Sequence, residues 1–288
     1  MIPDTRIAVI GLGLMGGSIA RALHVRGVRV LGHDRDGTQL DAAMREGVVH
    51  EALDSGLAGL ASAEVVVLAL PVDETLALLP RLTTRVDAAR LIMDLASTKA
   101  SIVAAAESAG LGPRYAGAHP LTGSHRSGWG ASRASLFEDA RVFLCPAPST
   151  TAATMQLAES FWRELRAGVD VLDAAVHDDE MAWRSHLPHL LSSALAVTLR
   201  DAGVRRSALG PGGRDMTRLA GGSPTMWSPI VDDNAAAIAA ALGACEARLR
   251  EFREALGAGD SAATRRFLQA GVDWFDGEPE RVLTRGTA

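Results

Sequence analysis

Short apolar runs alternate with polar and glycine-rich segments through the first 173 residues of the chain. Between several of these runs, apolar positions recur with helical spacing, as in residues 19–23. Continuously apolar strands are typical of a parallel sheet that is covered on both faces, so the pattern predicts a doubly wound α/β domain. The predicted strands are residues 6–10, 28–32, 65–70, 91–95, 115–119, 141–144 and 169–172.

From Ala174 onward the strand pattern disappears and apolar positions follow helical spacing. Residues 177–200 predict one long helix that Pro188 kinks, because a proline inside a helix removes a backbone hydrogen bond. The Ala-rich, amphipathic residues 234–268 predict long helices that pack on each other or on a second subunit. The polar tail from Asp276 is expected to fray. We therefore expect a second, all-α domain over residues 174–288.

The first predicted strand leads directly into a glycine-rich motif, Gly-Leu-Gly-Leu-Met-Gly at residues 11–16. After a strand and before a helix, GxGxxG is the signature of dinucleotide binding. Gly11 permits a tight turn, Gly13 lets the backbone approach a pyrophosphate, and Gly16 lets the helix pack on the strand. Free N–H groups at the helix amino end attract the phosphates. Residues 1–173 are therefore predicted to form a Rossmann-type dinucleotide-binding domain.

The tip of the second strand carries Asp34, whose carboxylate can bind the ribose hydroxyls of an adenosine. The same charge repels a 2′-phosphate, so the sequence favours NAD over NADP, although the neighbouring Arg35 is of the kind that accommodates that phosphate. The strand ends at 70–72 and 97–99 are expected to face the same crevice. The predicted cofactor-binding residues are Gly11, Leu12, Gly13, Leu14, Met15, Gly16, Asp34, Arg35, Leu70, Pro71, Val72 and Ser97.

His119 ends a short apolar run and is followed by Pro120 and the turn residue Gly123. Because ligands bind outside the carboxyl ends of parallel strands, such a strand would present the imidazole to the crevice as a base. A histidine before a proline is more often a plain loop residue, and it is the neighbouring strand ends that favour the functional interpretation. Ser97, in turn, serves equally well as the N-cap of the following helix.

Composition sets limits on partners and location. The formal net charge of −5 and the scattered arginines argue against nucleic-acid binding. Cys145 and Cys245 have no metal-ligand spacing and are expected to be reduced thiols. With no leader-like or membrane-spanning segment, we expect a cytoplasmic protein. The single lysine, Lys99, suggests a position that needs a compact ammonium group.

Two pairs of side chains in the helical half invite a functional interpretation. His186 and His189 lie beside the predicted kink, but they lack the i, i+4 spacing of a helical zinc site. We therefore expect no metal and assign both to the core or to a ligand-facing wall. Arg214 and Arg218 share a helical face and suit carboxylates, although such a pair more commonly marks a solvated face.

Together these motifs resemble those of the prephenate/arogenate dehydrogenase family (cyclohexadienyl dehydrogenases) over residues 7–234. The first motif occurs in many dehydrogenases, whereas the later ones, in this order, are specific to the family. The matching segments are Gly-Leu-Gly-Leu-Met-Gly-Gly-Ser at 11–18, Asp-Leu-Ala-Ser-Thr-Lys at 94–99, Gly-Ala-His-Pro-Leu-Thr-Gly-Ser at 117–124, His-Asp at 177–178, Ser-His-Leu-Pro-His at 185–189, Gly-Arg-Asp-Met-Thr-Arg-Leu-Ala at 213–220 and Met-Trp at 226–227.

The resemblance implies NAD(P)-dependent oxidative decarboxylation of prephenate or arogenate, in aromatic amino-acid biosynthesis, by a homodimer that associates through its helical domain. It implies that His119 is the catalytic base, that Ser97 orients its ring, and that Arg218 binds a substrate carboxylate. The residues that it implies around the substrate are Arg218, His189, Ser124, His125, Arg214 and Trp227.

His125 departs from the family pattern, since many members carry an acidic residue there. Prephenate, arogenate and a 4-amino analogue therefore stay open as substrates. A β-hydroxyacid or imine reductase shares the glycine motif, but those enzymes usually rely on a lysine or aspartate of the second domain, and no lysine follows Lys99. A non-catalytic NAD-sensing dimer module is the alternative of a different class. Such a module would not need both His119 and Arg218.

Overall fold

The computed structural model describes residues 5–57, 59–123 and 126–277. These residues fall into two compact units, one within Met1–Ile238 and the other within Ala239–Ala288. All strands of the described chain belong to the first unit. The strands are β1 (Arg6–Ile10), β2 (Arg29–His33), β3 (Glu51–Ala52), β4 (Val65–Leu68), β5 (Leu91–Asp94), β6 (Ala116–Pro120), β7 (Arg141–Pro146) and β8 (Gly168–Val171).

Helices follow most of the strands and make up nearly all of the chain after β8. The α-helices are α1 (Leu14–Val25), α2 (Gly37–Arg45), α3 (Val72–Leu82), α4 (Ala100–Ser108), α5 (Ala152–Glu164), α6 (Ala174–Met181), α7 (Leu187–Asp201), α8 (Pro211–Met216), α9 (Pro224–Asp233), α10 (Ala235–Gly257) and α11 (Ser261–Asp276). None of the helices in the described ranges combines the length and the apolar character needed to cross a bilayer.

The first five strands form a parallel sheet in the order β3-β2-β1-β4-β5. Strand order reverses between β1 and β4, which is the position where doubly wound sheets bind ligands. This arrangement, with a helical second half, confirms the predicted fold class. The short strand β3 was not predicted from the sequence.

The last three strands form a second sheet in which β6 is antiparallel to β7 and β7 is parallel to β8. A parallel bridge between Ile92 of β5 and Tyr115 shows that β6 runs in the same direction as β5. A parallel return to β7 would need a long crossover, usually a helix. The described part of residues 121–140 contains only one helical turn, at Trp129–Ala131, so β7 runs the other way.

Both faces of the parallel sheet are buried, which explains why its strands read as continuous apolar runs. Ile7 and Val9 of β1 pack on one face with residues of α1 and α5. Ala8 and Ile10 point to the other face, where they pack with residues of α3 and α4. The helices therefore leave only the strand ends open, and the polar side chains that follow the strands lie there.

The helix predicted over residues 177–200 is continuous but contains a π-helical turn at Ala182–His186, directly before Pro188. A proline in a helix cannot donate to the carbonyl four residues earlier and crowds it, and a wider turn relieves that contact. Pro188 thus marks a π-helical turn instead of a simple kink. Such turns occur frequently at functional sites.

The second unit contains a helical hairpin, in which Phe252 of α10 stacks on Phe267 of α11 with ring centroids 4.4 Å apart. This contact confirms that the Ala-rich segment forms long helices that pack on each other. The predicted frayed tail lies, from residue 278 on, outside the described residues. The predicted domain boundary between residues 173 and 174 stays a prediction.

Candidate functional site

A cleft of about 510 Å³ opens at the carboxyl ends of β1, β2 and β4. We call it the cofactor cleft. Its position at the reversal of strand order is the one that the sequence predicted for a dinucleotide. The predicted cofactor residues that line it are Gly11, Gly13, Asp34, Arg35, Leu70 and Pro71.

Two glycines of the motif are required by close backbone contacts. Gly11 has a φ of +91°, and a Cβ added there would lie 2.4 Å from the carbonyl oxygen of Ala69. A Cβ on Gly16 would lie 1.8 Å from the carbonyl oxygen of Gly11. The amino end of α1, with Gly13 at its N-cap, has no side-chain cap. Its N–H groups are therefore free to bind a phosphate, which fits a dinucleotide.

Asp34 is already held in place by two backbone donors. Its Oδ2 accepts a hydrogen bond of 2.6 Å from Leu12 N, and its Oδ1 accepts one of 2.8 Å from Asp36 N. A carboxylate can accept more than two hydrogen bonds, so it keeps capacity for a ribose diol. The neighbouring Arg35 is exposed and forms an ion pair with Glu74.

The other predicted cofactor residues are not part of the lining of the cofactor cleft; they are Leu12, Leu14, Met15, Gly16, Val72 and Ser97. Leu14 and Met15 are the first residues of α1, and Val72 is buried at the start of α3. Ser97 follows β5 and is partly buried, away from the lining of this cleft. The structure therefore brings the glycine loop, Asp34, Arg35, Leu70 and Pro71 together at the cofactor cleft.

A second group of polar side chains surrounds His119. We call His119, His177, Asp178, His186 and Asn234 the histidine cluster. His119 is partly buried near the carboxyl end of β6, and its Nδ1 lies 2.9 Å from Nε2 of His177. His177 is fully buried on α6, and its Nδ1 lies 2.8 Å from Oδ1 of Asp178. His177 and Asp178, which are consecutive in α6, thus form a chain of hydrogen bonds that ends at His119 of β6.

The amino end of α4 fixes the carboxylate of Asp178. Oδ1 accepts a hydrogen bond of 2.8 Å from Lys99 N, and Oδ2 accepts one of 2.8 Å from Ala100 N. These donors belong to the first turn of α4, where backbone N–H groups have no partner within the helix. Asp178 therefore caps α4 from another helix, and neither Ser97 nor Thr98 provides a side-chain cap.

The environment of His119 favours a neutral imidazole. Burial, followed by unfavourable electrostatic interactions of a protonated ring with His177, Lys99 and His186, holds the pKa of His119 well below its usual range. Burial likewise lowers the pKa of His186 to about 4. Two neutral rings suit a site that binds and releases protons without holding a permanent charge.

Lys99 lies beneath the histidine cluster and is fully buried. Its Nζ forms an ion pair with the equally buried Asp94, which also accepts a hydrogen bond of 2.6 Å from the hydroxyl of Tyr115. A Cβ on Gly117 would lie 3.1 Å from Cδ of Lys99, so the space around the lysine stem is tight. This packing supports the interpretation that the position needs a compact ammonium.

The remaining histidines of α7 and the π-helical turn form a wall with Trp227. The rings of His189 and Trp227 stack with centroids 3.6 Å apart, and the His186 ring meets Trp227 edge-on. A Cβ on Gly222 would lie 2.6 Å from the His189 ring, so only glycine fits there. Asn234 Nδ2 lies 2.7 Å from the carbonyl oxygen of Asp178 and 3.2 Å from His186 Nδ1.

The predicted carboxylate-binding arginines lie elsewhere in the chain. Arg214 and Arg218 are both exposed. Arg218 lines a separate cavity of about 320 Å³ with residues such as Leu199 and Arg206, and His119 is not part of that lining. Ser124 and His125 lie outside the described residues. No hydrogen bond or ion pair among the described residues joins Arg218 to His119.

Two protein-family models match the chain. A family model described as the nucleotide-binding domain of prephenate dehydrogenase matches residues 19–171. A second, described as the dimerization domain of prephenate dehydrogenase, matches residues 173–270. The chain belongs to the prephenate dehydrogenase family. It is therefore an oxidoreductase, and the resemblance drawn from the sequence motifs is confirmed.

Individual members of the prephenate dehydrogenase family agree with this assignment. The chain is 32% identical over 285 residues to a prephenate dehydrogenase of Bacillus subtilis, which covers 96% of this chain and 76% of that protein. A crystal structure of Aquifex aeolicus prephenate dehydrogenase with hydroxyphenyl propionate and NAD+ has a TM-score of 0.86 at 25% identity, covering 95% and 98% of the two chains. Synechocystis arogenate dehydrogenase has a TM-score of 0.80 at 27% identity, covering 94% and 99%.

Sequence reasoning missed part of this family member's site. The sequence motifs include Asp178 without a separate role for it, and they give Asn234 no role. Among the described residues, no group of three or more His, Cys, Asp or Glu side chains is arranged to hold a metal ion. The capping role of Asp178 joins residues 78 and 79 positions apart, so no local spacing could have indicated it.

Proposed function

We propose that the protein catalyses the NAD-dependent oxidative decarboxylation of prephenate or arogenate, giving 4-hydroxyphenylpyruvate or tyrosine. The observation that carries the proposal is the placement of His119 at the carboxyl end of β6, with one ring nitrogen bonded to the buried His177. The other ring nitrogen forms no hydrogen bond with the described residues and would be left for a substrate. The printed names of the relatives, prephenate dehydrogenase and arogenate dehydrogenase, support the two candidate substrates.

The cofactor cleft fits NAD. The uncapped amino end of α1 would hold the pyrophosphate, and the Asp34 carboxylate would accept hydrogen bonds from the adenosine ribose. Asp34 would also repel a 2′-phosphate, which is the reason for preferring NAD to NADP. When bound, NAD supplies the acceptor for the hydride that leaves C4 of the substrate. NAD in the Aquifex aeolicus complex supports this cofactor for the present chain.

His119 would act on the C4 hydroxyl of the substrate. Its neutral imidazole accepts the hydroxyl proton while the hydride leaves the same carbon. The ring then loses its carboxylate as CO2 and becomes aromatic. A base with a lowered pKa is unprotonated near neutral pH, and this is the state that the step requires. Ser97, which follows β5, would contribute a hydroxyl beside this base.

Substrate carboxylates require positive groups, and we assign Arg218 and Arg214 to them. Both guanidinium groups are exposed in the single chain and are therefore available to a ligand. His189 and Trp227 would form an aromatic wall, which their stacked rings support. Roles for Ser124 and His125 stay predictions, because both lie outside the described residues.

The protein would work as a homodimer. The second unit exposes large apolar side chains on α11: Trp274 is 83% and Phe275 82% exposed. Apolar surface of this kind is a common feature of subunit interfaces. The family model that matches residues 173–270 is described as a dimerization domain, which supports the same conclusion. Light scattering of the purified chain tests it directly.

The proposed reaction is tested by NADH formation. Prephenate, arogenate and 4-amino-4-deoxyprephenate are each mixed with enzyme and either NAD or NADP, and absorbance is followed over time. We expect the fastest reaction with NAD and one of the first two acids. A flat trace with every acid, despite normal NAD binding, would contradict the proposal and favour a non-catalytic NAD-sensing dimer. A reaction with 4-amino-4-deoxyprephenate alone would show that this acid, and not prephenate or arogenate, is the substrate.

A further inference from the structure

The ring of His119 has a defined hydrogen-bond partner, and it is a second histidine. Nδ1 of His119 lies 2.9 Å from Nε2 of His177, with the two rings packed edge-on at 5.1 Å. His177 is 0% exposed and also packs edge-on against Phe143, the residue opposite His119 in β7. Its position is therefore fixed by packing on one side and by Asp178 on the other.

The positions of the protons follow from the donors around Asp178. Both carboxylate oxygens accept backbone N–H groups at the start of α4, so the group acts as an acceptor. The His177 Nδ1 next to it must then carry a proton, and with the proton on Nδ1 the ring presents a lone pair at Nε2. His119 Nδ1 must donate to that lone pair. The proton of the neutral His119 ring therefore lies on Nδ1, and Nε2 is bare.

We propose that His177 and Asp178 are positioning residues that hold His119 in the tautomer with a free Nε2, the atom that takes the substrate proton. The positioning role rests on the proposed function, in which His119 is the base. It moves the orienting role, which the family resemblance implied for Ser97, to a histidine–carboxylate pair on α6. A base in the other tautomer would present an N–H to the substrate and could not accept a proton.

The same pair would also stabilise the base after it has reacted. When Nε2 of His119 accepts the proton, the ring becomes an imidazolium, and its Nδ1–H still donates to His177. The positive charge then lies one ring away from the Asp178 carboxylate, and this opposite charge offsets part of the cost of charging the buried ring. No proton has to leave His177 in this step.

The wild-type protein is the first test, by 15N NMR of histidine-labelled enzyme at neutral pH, with the His119 signals assigned by comparison with a His119→Asn variant. The two nitrogens of a neutral ring have different shifts according to which one is protonated. We expect His119 to be protonated on Nδ1 only. A ring protonated on Nε2, or on both nitrogens, would overturn the proposal. This readout needs no substrate, so it stands or fails independently of the proposed reaction.

The variants His177→Leu and His177→Gln separate positioning from simple packing. Leucine fills the space without an acceptor, and we expect kcat to fall by about 10²- to 10⁴-fold, the range attributed to a correctly placed base. KM and NAD affinity should change less than about twofold, since neither ligand loses a contact. Glutamine keeps an acceptor for His119 Nδ1–H and should restore part of the rate and the original tautomer.

The matched control is His24→Leu, which changes an exposed histidine of α1 in the same way. It should leave kcat and the His119 signals unchanged. If His177→Leu retains the wild-type tautomer and kcat, the pair does not position the base. If leucine and glutamine lower the rate equally, with NAD affinity reduced to the same degree, His177 is a packing residue only.

Discussion

The cofactor cleft and the histidine cluster lie at the same edge of the molecule's strands but are built in opposite ways. The cofactor cleft is made mostly of backbone: an uncapped helix end, two glycines in close contact, and Asp34 held by backbone N–H groups. The histidine cluster is made of side chains that are buried and bonded to one another. The cofactor cleft offers an open surface to a cofactor, whereas the histidine cluster holds one side chain, His119, in position.

This difference predicts how each region responds to mutation. In the cofactor cleft, the uncapped N–H groups of α1 and the turn at Gly11 belong to the backbone, and most side-chain substitutions leave them in place. In the histidine cluster, each side chain is the partner of another, so removing one leaves a buried polar group unpaired. We therefore expect the largest losses of activity from the cluster and smaller, more selective changes from the cleft.

The largest effect is expected from His119→Ala. Loss of the base should lower kcat by about 10²- to 10⁴-fold, while NAD affinity changes little because the cofactor cleft is intact. Steady-state kinetics and NAD titration by fluorescence measure the two quantities, with His24→Ala as the control. Equal losses of kcat and of NAD affinity would show that the two regions are one structural unit and that His119 supports the fold.

The next effect is on stability, from Lys99→Met beneath the histidine cluster. Asp94 would keep its hydrogen bonds from Tyr115 and Ala96 but lose its buried counter-charge. Breaking a buried ion pair typically costs about 3–5 kcal/mol, which urea unfolding would measure. In an Asp94→Asn background, the same Lys99 substitution should cost clearly less, because no buried negative charge is left. Equal costs in both backgrounds would mean that the lysine contributes packing alone.

The same contrast explains how much of each region could be predicted from the sequence. The cofactor cleft is encoded locally: a strand, three spaced glycines and an acid at the next strand tip lie within 34 residues. Local spacing is what sequence reasoning detects, and six of the predicted cofactor residues do line the cofactor cleft. Four of the five strands of the parallel sheet were likewise predictable, because both faces of the sheet are buried and these strands are largely apolar, whereas the short β3 carries no such run.

The histidine cluster is encoded by contacts over long distances in the chain. The bond from His119 to His177 spans 58 residues, and that from Asn234 to His186 spans 48. No periodicity relates these positions, so the residues alone indicated a base at His119 without its partners. Motif resemblance gave the family, but the tautomer of His119 and the cap on α4 needed three-dimensional contacts. The reversed direction of β7 escaped prediction because strand propensity carries no direction.

A smaller effect is expected from Arg218→Ala, which tests whether the histidine cluster alone holds the substrate. Loss of a charge-assisted hydrogen bond costs about 1.5–3 kcal/mol, so KM should rise about 10- to 100-fold with kcat less affected. The matched control is Arg206→Ala, since Arg206 lines the same cavity but lies outside the family motif. An unchanged KM for Arg218→Ala would remove this arginine from substrate binding.

The smallest effect is expected in the cofactor cleft itself, from Asp34→Ser. The serine cannot repel a 2′-phosphate, so the preference for NAD over NADP should fall by an amount on the order of tenfold. Arg35 would still be held by Glu74, and adding Glu74→Gln should release it and lower the preference further. The control Asp36→Ser removes a nearby carboxylate but keeps an N-cap for α2. The preference of this variant for NAD over NADP should therefore not change. If Asp34→Ser keeps the wild-type preference for NAD while kcat with NAD is unaltered, the backbone of the cofactor cleft distinguishes NAD from NADP without this side chain. The contrast between the backbone-built cleft and the side-chain-built histidine cluster would then be sharper.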